Sequence, residues 1–318
     1  VYSRRPPIRY ADEENLPEVK TEYVVDSQYG TELDEHQRYY VNLAIQSFKN
    51  GNKAFVLGDG TGVGKTREIL ATAEAFTKHV NNKPVLIVTA NKTIINQRFK
   101  SDAETLGIDP DKYKFATYDD VQSGKIPKED YGLVLFDEAH ALKNSYSKRH
   151  RQAKEIKTDH VVYATATPMD RIVSAAYFLS EVSGVTKENI YEMLNIREEM
   201  AYDDKGMPYP NAILEEGTEI GDVIDGLIEL RNKSIENGAM VRREYAFFGK
   251  VDPVTIQKDQ DFANEEAFIQ NYYAEKIRKI KYIKNITKKE KKRIKMTLGT
   301  KRRNELLHIT ELAKIPEV

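Results

Sequence analysis

The sequence predicts an α/β fold, a parallel sheet covered by helices, followed by a mostly helical segment with a β-hairpin. Three observations carry this. Short apolar runs alternate with helical stretches between residues 35 and 169. The runs at 85–88 and 133–136 are apolar at consecutive positions rather than at every second one, the pattern of strands buried on both faces. A Gly-rich turn over 58–64 follows the first run and opens a helix, as a strand-turn-helix unit requires.

The elements follow in order. Residues 1–30 contain Pro6, Pro7 and Pro17 and read as an extended arm. A helix is predicted over about 35–48, with Val41, Ala44, Ile45 and Phe48 on one face, ended by Asn50-Gly51-Asn52. Strands are predicted at 53–57, 84–89, 113–117, 132–136 and 160–164, with helices at 65–79 and 93–106 between them. The α/β unit spans 31–170. Beyond it, 172–182 and 221–236 read as helices and 201–218 as a loop rich in Asp, Gly and Pro. A hairpin is expected from 239–248 and 251–256 across Gly249-Lys250, then a long helix over about 262–286. Residues 171–275 are read as an extension packed on the α/β unit, and 276–318 as a basic helical connector.

Composition excludes several classes. Hydrophobic residues are 40% and charged residues 31%, which suits a packed domain and not a disordered chain. No apolar run approaches the roughly 20 residues of a membrane span, so no membrane partner is expected. Cysteine is absent, which removes disulfides, thiolate metal sites and cysteine catalysis and suits an intracellular protein. The net charge of −1 hides a segregation: residues 276–303 carry 14 Lys/Arg and one acid, Glu290. Such asymmetry points to a polyanionic partner.

The motif with the most chemistry is Gly58-Asp59-Gly60-Thr61-Gly62-Val63-Gly64-Lys65-Thr66. Glycines let backbone N–H groups converge on phosphate oxygens, and the helix start adds a partial positive charge. Gly60, Thr61, Gly62, Val63 and Gly64 would cradle the phosphates, Lys65 would reach the β- and γ-phosphates, and Thr66 would place its hydroxyl on Mg²⁺. The first glycine of the phosphate-loop pattern is replaced by Asp59. About 70 residues on, an apolar strand ends in Asp137-Glu138-Ala139-His140. Ligands bind at the carboxyl ends of such strands. Asp137 would hold Mg²⁺, and Glu138 would orient and deprotonate the attacking water. Thr165 and Thr167, after the last strand of the unit, are candidates for sensing nucleotide at the Asp-Glu pair. Gln37, upstream on the first helix, offers an amide donor and acceptor for an adenine edge. The expected ligands are ATP and Mg²⁺.

In this order the motifs resemble the first motor domain, RecA-like in fold, of a superfamily 2 helicase or translocase. Gln37 matches the family's adenine-reading Gln, Lys65 and Thr66 its motif I, Asp137 to His140 the DEAH form of motif II, and Thr165-Ala166-Thr167 motif III. The resemblance implies that the segments around Thr89 and Asn91, and around Thr117 and Tyr118, contact the nucleic-acid backbone. A closer resemblance is to the strawberry-notch-like branch, related to the Swi/Snf remodelling ATPases. It rests on 58–65, 136–144 and 162–167, and on Gly238-Ala239-Met240-Val241-Arg242-Arg243-Glu244-Tyr245-Ala246-Phe247-Phe248-Gly249. Thr66 and Pro168 depart from that branch, which has Gly at both positions.

The function implied is the ATP-binding half of a DNA-dependent ATPase, with Mg-ATP hydrolysis coupled to movement on double-stranded DNA. The alternative is an ATP-gated clamp that grips nucleic acid or protein without unwinding. Motors of this kind use a second RecA-like domain that supplies arginine fingers. No such motif follows Thr167, so that domain is expected beyond Val318, and turnover by these 318 residues alone is expected to be slow.

Overall fold

The computed structural model describes residues 8–10, 16–24, 32–59, 64–202 and 206–245, together with Ile269, Tyr272 and Ala274. The chain divides into two compact units, Val1–Phe248 and Gly249–Val318. In the second, Ile269, Tyr272 and Ala274 are helical, within the long helix expected there; the rest of that helix and the basic block lie outside the described residues.

The first unit opens with β1 (Ile8–Tyr10) and α1 (Glu35–Lys49). Then come β2 (Ala54–Leu57), α2 (Lys65–His79), β3 (Val85–Thr89), α3 (Lys92–Ile94), a π-turn over Ile95–Phe99 and α4 (Lys100–Leu106). Next are β4 (Lys114–Thr117), α5 (Tyr118–Gln122), β5 (Tyr131–Asp137), α6 (Lys148–Lys154) and β6 (Thr158–Ala164). The unit closes with α7 (Ile172–Val182), α8 (Lys187–Met193), β7 (Ile196–Tyr202), β8 (Pro208–Leu214), α9 (Ile220–Glu236), β9 (Met240–Val241) and β10 (Arg243–Tyr245).

Six strands form one sheet in the order β4-β3-β5-β6-β2-β9, and every pairing in it is parallel. Its strands alternate between two cores. Phe55, Leu57, Ile87, Leu133 and Leu135 pack with Tyr40 and Leu43 of α1 and Ile69 and Phe76 of α2. Val56, Val88, Val134, Phe136 and Tyr163 pack on the other face with Phe178 of α7 and Leu227 of α9. Consecutive apolar residues are therefore all buried, because successive side chains enter opposite layers. Asp34 caps α1 by accepting from Gln37 N at 2.7 Å, while the Gln37 side chain accepts from Asp34 N at 3.2 Å. This reciprocal box satisfies two backbone donors.

One expectation is corrected. Residues 201–218 are not a plain loop: β7 and β8 pair antiparallel from Ile196↔Leu214 to Tyr202↔Pro208. Pro208 and Pro210 conceal the strand, but a two-stranded ribbon has an open edge where a missing N–H costs no ladder bond. The 239–248 half of the expected hairpin has these pairings among the described residues. Met240–Val241 joins the main sheet beside β2, and Arg243–Tyr245 pairs antiparallel with Ile8–Tyr10 of the N-terminal arm. The 251–256 half lies outside the described residues.

The β7–β8 ribbon is fixed to the segment that follows β5. Asn144 Nδ2 donates to Pro208 O at 2.8 Å. Glu198 accepts from Ser145 Oγ at 3.1 Å, Lys187 Nζ at 3.0 Å and Tyr191 Oη at 2.7 Å. Burial pushes the Glu198 carboxyl up, but the Tyr191 and Lys187 bonds outweigh it and hold the pKa below its ordinary value. The carboxylate stays charged at neutral pH and anchors three elements.

Candidate functional site

Asp59, Thr89, Asp137 and Thr165 sit at or just past the carboxyl ends of β2, β3, β5 and β6. β2 ends at Leu57, beside Ala164 of β6 and Val241 of β9. Gly58 N donates to Val241 O at 2.8 Å, and a Cβ on Gly58 would stand 3.1 Å from Pro168 Cγ. Only glycine leaves the sheet comfortably through that gap. Asp59, in place of the motif's first glycine, is fully buried, and its carbonyl accepts from Lys65 Nζ at 3.1 Å. Gly60, Thr61, Gly62 and Val63 lie outside the described residues. Gly64 caps α2 with φ +95°, Lys65 is buried and Thr66 half-buried. The ammonium of Lys65 is therefore turned back toward Asp59, just past the end of β2.

Gln37 meets this loop from α1. Its Nε2 donates to Gly64 O at 3.4 Å, while its Oε1 caps Asp34. The amide thus ties the start of α1 to the start of α2. A Cβ at residue 64 would lie 2.2 Å from Gln37 Nε2. Gly64→Ala is expected to displace Gln37 and strain the left-handed backbone, destabilising the chain by about 1–2 kcal/mol, readable as a lower thermal midpoint.

β5 delivers the acidic pair. Asp137 is 7% exposed, and burial raises its pKa, opposed by a hydrogen bond from Thr89. Thr89 Oγ1 donates to Asp137 Oδ2 at 2.8 Å, and Tyr118 Oη donates to the Asp137 carbonyl at 2.7 Å. Glu138 turns sharply, at φ 53°, in the left-handed region that a residue with a side chain seldom occupies. Such strain clusters at working sites. Glu138 Oε2 lies 3.2 Å from His140 Nδ1. That contact, with Lys65 and Arg98 as nearby cations, holds the Glu138 pKa below its ordinary value against the effect of burial. Lys65 acts electrostatically on both acids, so the loop lysine and the acidic pair share one site.

Thr165 is fully buried at the exit of β6; its N–H donates to Leu57 O at 2.8 Å, and its hydroxyl accepts from Thr167 N at 3.2 Å. Thr165 therefore joins β2 to the turn that carries Thr167, which is exposed.

The residues predicted to meet nucleic acid divide. Asn91 is exposed and caps α3, accepting from Ile94 N at 3.0 Å. Thr89, Thr117 and Tyr118 are buried, at 0%, 6% and 3% exposure. Thr117 caps α5, its hydroxyl shared with Asp120. Thr89 and Tyr118 face Asp137. Sequence reasoning missed these inward roles, and it missed Arg98, on the π-turn, as a cation near Glu138. The hydroxyl at the end of each apolar strand run was the available signal for Thr89 and Thr117. Among the described residues no group of three or more His, Asp or Glu is placed to hold a metal alone.

Comparison with known proteins agrees with this geometry. Residues 30–170 match the family described as type III restriction enzyme, res subunit. Switch 2 of Arabidopsis thaliana is 27% identical over 190 residues, 49% of this chain and 22% of that protein. ATP-dependent helicase FUN30 of Saccharomyces cerevisiae is 25% identical over 166 residues, 43% of this chain and 14% of that protein. Residues 30–170, the span of that family match, form a RecA-like α/β domain. The Sulfolobus solfataricus SWI2/SNF2 ATPase core, solved in complex with dsDNA, shares the fold at a TM-score of 0.50 and 15% identity, over 92% of this chain and 60% of that one. The chain thus spans only a minor part of the curated relatives' length.

Proposed function

We propose that this chain is the ATP-binding half of a DNA-dependent ATPase that couples Mg-ATP hydrolysis to movement on double-stranded DNA. The observation that carries the reading is buried Lys65, bonded to Asp59 at the end of β2, with the Asp137-Glu138 pair at the end of β5, two strands that flank β6. The DNA partner is inferred from the likeness to Swi/Snf-type relatives, and within that set we place the chain nearest the strawberry-notch-like branch on its 238–249 stretch.

In this reading backbone N–H groups of 60–64 and the Lys65 ammonium bind the phosphates. Thr66 and Asp137 fit Mg²⁺: a hydroxyl and a carboxylate are hard oxygen donors, and the Asp137 carboxylate is already oriented by Thr89. The ion, when bound, neutralises charge on the β- and γ-phosphates. Glu138, kept ionised by His140 and the neighbouring cations, takes the proton of the attacking water. Gln37 reads adenine with the amide hydrogen left after its bond to Gly64, and Thr165 and Thr167 relay the state of the site. A second RecA-like domain beyond Val318 supplies the arginine that completes charge stabilisation.

Titration of Mg-ATP into the chain, followed by calorimetry, tests this. One saturable site is expected. Absence of binding would remove the reading.

A further inference from the structure

Two of the residues expected at a nucleic-acid surface point into the protein at the same acid. We infer that Thr89 and Tyr118 are positioning residues for hydrolysis, Thr89 orienting the Asp137 carboxylate and Tyr118 fixing the peptide that carries Glu138. The inference rests on the ATPase reading above and goes beyond it by assigning a separate task to each residue.

The ends of β4, β3 and β5 lie side by side, with Thr89 opposite Thr117 and Val88 opposite Phe136. Thr89 closes a run of four buried apolar residues, Val85 to Val88, and is itself fully buried. Valine has the same branched shape and would pack as well there, so packing does not account for the hydroxyl. What the hydroxyl does is donate to Asp137 Oδ2 at 2.8 Å. With one lone pair of that oxygen taken, the carboxylate plane is set and its remaining lone pairs are left for a cation. A carboxylate that must find its own rotamer as it binds would bind more weakly.

Tyr118 acts on the backbone instead. Thr117 and Asp120 lock the first turn of α5 through a capping box, which sends the next side chain beneath the end of β5. The Tyr118 ring stacks on Phe136 at 6.3 Å and 13°, and the Arg149 guanidinium covers it at 5.3 Å. Held so, its hydroxyl donates to Asp137 O at 2.7 Å. That carbonyl belongs to the peptide leading into Glu138, whose φ of 53° is the strained turn that aims its side chain. Tyr118 thus secures the direction of the general base without touching it.

The two tasks give separable signatures in the 318-residue chain. Thr89→Val should raise the Mg²⁺ concentration needed for tight ADP binding about ten-fold, the weight of one hydrogen bond to a charged group. ADP binding in EDTA should be unchanged, and Thr89→Ser should restore the Mg²⁺ requirement. Tyr118→Phe should leave ADP and Mg²⁺ binding within about two-fold and lower single-turnover ATP hydrolysis about ten-fold. An unchanged Mg²⁺ requirement in Thr89→Val, or an equal loss of binding with and without Mg²⁺, would overturn the Thr89 assignment. Unchanged hydrolysis in Tyr118→Phe, or binding lost together with hydrolysis, would overturn that of Tyr118. If the parent chain itself binds no Mg-nucleotide, the ATPase reading falls and this inference falls with it.

Discussion

Glu138→Gln is expected to lower ATP turnover by about 10²–10⁴-fold while leaving Mg-ATP affinity nearly unchanged. Glutamine keeps the size of the side chain and one hydrogen-bonding oxygen, but it cannot take a proton. The structure explains why the native residue can. Its pKa is held low by the contact with His140 and by Lys65 and Arg98, so the carboxylate is ionised at neutral pH. When Glu138 loses its charge, Lys65 still has Asp137 as an acidic neighbour, so the cation of the site is not stranded. Binding should therefore survive, and hydrolysis should not. A variant that binds weakly, or one that still turns over, would take Glu138 out of this role. Rapid-quench hydrolysis beside equilibrium binding separates the two.

Lys65→Ala is expected to act on binding. The lysine is buried, reaches back 3.1 Å to the Asp59 carbonyl, and is the cation common to Asp137 and Glu138. Truncating one partner of a buried charge pair costs about 2–5 kcal/mol, so Mg-ATP affinity should fall at least about 30-fold. Removal should also raise the Asp137 pKa further, because Lys65 is among the groups that oppose the effect of burial there. Retention of native affinity in Lys65→Ala would mean that the loop does not hold phosphate through this residue. Calorimetric titration reads the change directly.

Much of this site was legible in the sequence because its chemistry is local. The apolar run into Gly58, the lysine at a helix start and the Asp-Glu pair at a strand end each announce their position within a few residues. The five strands expected between residues 53 and 164 are present, and their consecutive apolar residues do enter two cores. What was not legible depends on pairing over distance. β9 contributes two residues, Met240 and Val241, too short a run to signal a strand until β2 lies beside it. The β7–β8 ribbon is masked by Pro208 and Pro210, and its stability comes from Glu198 reaching Ser145, Lys187 and Tyr191. Thr89 and Tyr118 were read as surface residues because a hydroxyl at a strand end looks the same whether it faces solvent or a neighbouring strand. The bond from Thr89 to Asp137 spans 48 positions, and no periodicity within either strand encodes it.

In the proposed function, nucleotide chemistry at this sheet end answers to nucleic acid. ATP turnover by the full-length protein, with and without double-stranded DNA and beside Lys65→Ala, tests it most directly. Strong stimulation by DNA that vanishes in the variant is expected. Turnover indifferent to DNA, or stimulation that survives in Lys65→Ala, would contradict it, and ATP binding without any stimulation would move the protein to a nucleotide-gated clamp.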